Sequence, residues 1–110
     1  MTTNEAQRMA DTLELLAAFL RTNEPPIIYV AINVHDSGRP NTVSIQVSHD
    51  KDRLPGRIAV WAELLHTDVR VTEMPNSKDY LRCYDVHGTV GTQPVHVFGY
   101  IDRVPVQVPA

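Results

Sequence analysis

The sequence predicts an α+β domain, a two-layer sandwich in which a mostly antiparallel five-stranded sheet carries two helices on one face, in the order α-β-β-α-β-β-β. Three observations predict it. Two segments repeat their apolar residues at the helical period. Five others are rich in β-branched residues and alternate in polarity. The turn-forming residues between most of the strands are few enough to close hairpins. A length of 110 residues suits one domain, expected over 1–102, with an extended tail at 103–110.

The first helix is read from Ala6, Met9, Ala10, Leu13, Leu16, Ala17 and Leu20, which share a stripe, while Asp11, Glu14 and Arg21 fall off it. Thr2 followed by Glu5 has the form of a capping box, and Pro25-Pro26 cannot continue the helix. Ile27 to Val34 and Thr42 to Ser48 then read as a hairpin closed by the loop from His35 to Asn41. Leu54, Ile58, Trp61, Ala62 and Leu65 mark the second helix, with Pro55 in the first turn, where proline is tolerated. Asp68 to Met74 is a short strand. Tyr80 to Val90 and Val95 to Asp102 form the last hairpin, with Gly91-Thr92 as a tight turn that places glycine where φ is positive. The tail alternates Val104, Val106 and Val108 with Pro105 and Pro109, which suits an edge strand or a loose arm.

Strand parity separates two faces. Ile28, Val30, Ile32, Val34, Val43, Ile45, Val47, Val69, Val71, Val86, Val90, Val95, Val97 and Ile101 are expected beneath the helices. The other face is mixed: Tyr29, Ala31, Asn33, Ser44, Gln46, Arg70 and Thr72, then Leu81, Cys83, Asp85, His87, His96, Phe98 and Tyr100. One face of an antiparallel sheet can stand in water. Tyr29, Leu81, Cys83, Asp85, His87, His96, Phe98 and Tyr100 are therefore the expected interaction surface, set against the plainer reading of a polar face kept for solubility.

Composition narrows the function classes. The chain is 43% hydrophobic and 21% charged, as in globular domains, and its net charge of −3 supplies no electrostatic footprint for nucleic acid. A stacking platform from Tyr29, Phe98 and Tyr100 would need Arg39, Arg70 and Arg82 to cluster. Cys83 is the single cysteine, so no internal disulfide forms. The polar N-terminus has no leader pattern, and no stretch approaches the roughly 18 apolar residues of a membrane span. The expected compartment is the cytoplasm, and no cofactor is expected.

No catalytic motif stands out. Ser44, Ser48 and Ser77 lie outside any nucleophile elbow, and no phosphate-binding glycine loop is present. Cys83 and His87 share a face but stand two pleats apart, so a packed thiol is the expectation. Trp61 belongs to the apolar stripe of its helix. A two-residue turn sets Val90 against Gln93, hence His87 against His96, Asp85 against Phe98 and Cys83 against Tyr100. Opposed Cβ atoms are roughly 4.5–5.5 Å apart, so the two imidazoles meet. The leading expectation is a surface ladder of histidines. The alternative is a small-molecule or metal-binding protein, conceivably a hydrolase, built on Asp85, His87 and His96.

The run Ala62-Glu63-Leu64-Leu65-His66, then Val69-Arg70-Val71, then the hairpin with Gly88-Thr89-Val90 and Val95-His96-Val97, resembles short uncharacterised proteins of actinobacteria and of their phages or mobile elements. The resemblance covers about the second half of the chain. It implies an accessory protein and carries no catalytic residue with it. The leading functional expectation is accordingly a non-enzymatic interaction protein that meets a protein partner or forms a homodimer.

Overall fold

The computed structural model describes residues 4–35, 39–48 and 50–103. Thr2, Asp36-Ser37-Gly38, His49 and residues 104–110 lie outside them. The elements are α1 (Glu5–Asn23), β1 (Tyr29–Asn33), β2 (Thr42–Gln46), α2 (Leu54–Leu64), β3 (Arg70–Glu73), β4 (Tyr80–Val90) and β5 (Gln93–Asp102). They form the expected α+β arrangement of two helices and a five-stranded sheet. The strand order is β1-β2-β5-β4-β3. Every pairing is antiparallel except β2 with β5, where two hairpins join through a parallel seam from Val43 opposite Val95 to Gln46 opposite Phe98. Among the described residues no helix is long and apolar enough to cross a membrane.

One core joins the layers. Leu16 of α1 and Leu54, Ile58, Trp61 and Ala62 of α2 pack against Val43, Ile45, Val47, Val86, Val90, Val95, Val97 and Ile101. Trp61 is fully buried, donates from Nε1 to the Pro26 carbonyl at 2.6 Å, and stacks on Phe19 with ring centroids 5.6 Å apart. The indole thus ties both helices to the segment entering β1, a buried ring with its polar tip satisfied. Gly99 lets α2 sit close to the sheet, because a Cβ there would collide with the Leu54 side chain.

Three local expectations change. α1 is capped by Asn4, whose Oδ1 accepts from the Gln7 amide at 2.7 Å. Its inward stripe is rotated from the expected one: Thr12 and Leu16 are buried, Leu15, Phe19 and Leu20 pack beside them, and Leu13 is 51% exposed. The polar Thr12 belongs inside because its hydroxyl accepts from Asn41 Nδ2 at 2.7 Å, next to the Arg8 guanidinium, which donates to the His35 carbonyl. Val71 and Ile28, expected beneath the helices, are exposed. β3 is an edge strand with all four residues in solvent, and Val69 just before it and Ile27 before β1 make the core contacts instead.

The last hairpin keeps the expected register near its turn. Gly91 has φ of 59°, and the pairs Val90–Gln93, His87–His96, Asp85–Phe98 and Cys83–Tyr100 are in place. A β-bulge between Tyr80 and Arg82 inserts one residue and inverts the alternation beyond it. Leu81 leaves the expected surface as a result. It lines a hollow with Lys51, Ile101, Asp102 and Arg103, while Tyr80 turns onto the open face and stacks on Tyr100 at 4.4 Å.

Candidate functional site

The open face is organised as rows that cross the sheet. Tyr29, Gln46, Phe98, Asp85 and Arg70 are successive register partners on the five strands. The neighbouring row runs Ala31, Ser44, His96 and His87. Strand period places these residues on one side, and the helices occupy the other.

Along the hairpin the rings touch in an unbroken series. Tyr80 stacks on Tyr100 at 4.4 Å, Tyr100 meets Phe98 edge-on at 5.6 Å, Phe98 meets His96 at 5.3 Å, and His96 lies parallel to His87 at 4.2 Å with 2° between the planes. Each such pair contributes roughly 0.5–1.5 kcal/mol beyond burial when aromatic. The ladder therefore stiffens the face as well as paving it.

Asp85 anchors the imidazole end. Its side chain is 5% exposed, on the face otherwise open to solvent. Arg70 grips it with two hydrogen bonds, Nε to Oδ1 at 3.0 Å and Nη2 to Oδ2 at 2.7 Å. His96 Nε2 lies 3.0 Å from Oδ2 and His87 Nε2 lies 3.2 Å from it. An ionised carboxylate only accepts, so the His96 contact places a proton on Nε2. The Arg70 hydrogen bond holds Asp85 below the ordinary carboxylate range; burial works the other way, and the His96 contact adds to the lowering.

Cys83 is half-buried with Sγ 3.7 Å from the Tyr84 carbonyl. Burial, reinforced by Asp85, pushes its thiol upward, away from the thiolate that nucleophilic chemistry uses. Burial also raises the Tyr100 phenol.

Of the expected surface residues, Tyr29, Cys83, Asp85, His87, His96, Phe98 and Tyr100 share the open face, and Leu81 does not. Parity places Arg70 on this face but leaves its pairing with Asp85 unread, because that pairing depends on the β3–β4 register across the Pro75 to Asp79 turn, whose length does not fix it. Tyr80 was missed because of the bulge. The three arginines of the stacking-platform reading lie apart: Arg70 is tied to Asp85, Arg82 pairs with Glu73 at 3.3 Å on the helix side, and Arg39 stands before β2.

Asp85, His87 and His96 each offer a ligand atom, all within 4.8 Å of one another. A hollow of about 320 Å³ adjoins both histidines, lined also by Asn41, Thr42, Ser44 and Pro94. No protein-family model, curated protein or solved structure matches this chain. The reading of the site rests on its own geometry.

Proposed function

We propose that this chain is a small non-catalytic binding module that engages a protein partner, a second copy of itself included, through the open face of the β4–β5 hairpin. The observation that carries this reading is the continuous ring series Tyr80–Tyr100–Phe98–His96–His87, bordered by the Asp85–Arg70 ion pair. Stacked rings with a polar border have the anatomy of a protein interface. Preorganisation supports it too: rings already fixed against one another lose little freedom on docking. The raised Cys83 thiol and the doubly hydrogen-bonded Asp85 favour a binding role over a catalytic one. The reading includes residence in the cytoplasm and, from the resemblance in the second half of the chain, an accessory role in an actinobacterium, its phage or a mobile element.

Phe98→Ser tests it. Sedimentation over a range of concentrations should show self-association of the wild type, or affinity capture should recover a stoichiometric partner. The variant should lose that association while keeping its far-ultraviolet circular dichroism. An unfolded variant would make the face internal core, and unchanged association would place the interface elsewhere.

A further inference from the structure

We infer that Asp85 Oδ2, His87 Nε2 and His96 Nε2 form a binding site for one divalent transition-metal ion of the zinc class. The inference does not rest on partner docking, although the site takes His87, His96, Asp85 and Arg70 from the same open face. His87 and His96 are direct register partners on β4 and β5, and Asp85 is two residues before His87 on the same face. The ligands thus project from two strands locked by a two-residue turn, a more rigid support than a loop.

The spacing fits a metal. Ligand atoms roughly 2.0–2.1 Å from a tetrahedral zinc stand roughly 3.3–3.4 Å from one another. Oδ2 is 3.0 Å from one imidazole nitrogen and 3.2 Å from the other. The three ligand atoms lie within 4.8 Å of one another, and the parallel imidazoles, 4.2 Å apart, must turn toward each other to admit the ion. Two imidazoles and a carboxylate form a donor set that suits zinc and its neighbours better than magnesium or calcium, which favour oxygen. The ion takes the place of the His96 Nε2 proton, which is released to solvent as Nδ1 takes one up, leaving the neutral ring in its Nδ1–H tautomer.

Arg70 fits the site as the outer partner of a metal-bound carboxylate. Its Nε holds Oδ1, the oxygen the ion does not use, and orients Asp85. An ion replaces the Nη2 contacts to Oδ2 at 2.7 Å and to His87 Nε2 at 3.3 Å, and the Arg70 side chain, 66% exposed, has room to withdraw them. The His87 side chain is 58% exposed and turns out of the parallel stack as the ion enters. The adjoining hollow of about 320 Å³ gives access and leaves the remaining coordination positions to water or a small ligand.

Zinc titration of the full chain after chelator treatment, followed by calorimetry and by NMR of the histidine rings, decides the matter. One zinc per chain is expected, moving the ring signals of His87 and His96 and leaving those of His35, His49 and His66 in place. Loss of an outer-shell partner costs roughly 10–100-fold in affinity, and His87→Ala, which removes a ligand, should cost at least the upper end of that range. Because His87 is exposed, this variant should retain its circular dichroism. Asp85→Asn, close in shape but uncharged, should also weaken binding. Failure to bind zinc, undiminished binding by folded His87→Ala, or shifts confined to the other histidines would overturn the assignment.

Discussion

Arg70 and Asp85 face each other across the β3–β4 ladder, and the guanidinium engages both carboxylate oxygens, at 3.0 and 2.7 Å. An exposed edge strand thereby supplies the counter-charge for a carboxylate that the rest of the sheet has buried.

Acid should reveal this pairing. Folding lowers the Asp85 pKa, so the stability it contributes is complete above its unfolded value of about 3.9 and is lost as pH falls through the lower folded value. Carbon-detected NMR titration of the chelator-treated protein should find the Asp85 midpoint below about 3.9, and Arg70→Gln should move it upward. A wild-type midpoint at or above the ordinary value would contradict the pairing.

Charge placed on the two faces should have opposite consequences. Val97 is fully buried, and Val97→Asp should cost more than about 4 kcal/mol in urea unfolding, enough to leave the domain largely unfolded. Thr72 is exposed on β3, and Thr72→Asp should stay within about 0.5 kcal/mol. Comparable losses from both would mean that the second face is covered as well.

Gly99 and Gly56 make a second contrast. At Gly99 a methyl group meets Leu54 and the Ser48 carbonyl, so Gly99→Ala should cost about 1–3 kcal/mol by overpacking. Gly56 lies in α2 with open space around it, and Gly56→Ala should gain up to about 1 kcal/mol. Thermal melts of the two variants should move in opposite directions. A neutral Gly99→Ala would show that α2 is free to shift.

Cys83 should react slowly. With its thiol raised by burial, alkylation at neutral pH should be slower in the folded chain than in urea, where the shift is lost. Faster alkylation in the folded chain would argue for an activated thiol and against a packing role.

Much of this architecture follows from period-two reasoning, and its failures have local causes. Around Gly91-Thr92 the turn length sets the register, so the opposition of His87 to His96 and of Cys83 to Tyr100 follows by counting back from the turn. Beyond the bulge the same counting put Leu81 where Tyr80 belongs, since nothing in Tyr-Leu-Arg marks an inserted residue. In α1 an apolar-only template passed over Thr12 and so turned the helix toward Leu13. The parallel seam left no trace in the sequence, because neither strand's pattern names its neighbour. The Asp85–Arg70 grip combines both problems: it needs a register set by packing and a side chain on an exposed edge.

The parallel seam also closes the longest loop of any strand pairing in the sheet. Each hairpin closes over a short connection, whereas Val43 meets Val95 only after the intervening helix and strands have been brought into place. β2 therefore gains its second neighbour only through a strand far from it in sequence. With β5 undocked, β2 would present Val43 and Ile45 on an unpaired edge, an edge open to strand addition by another chain.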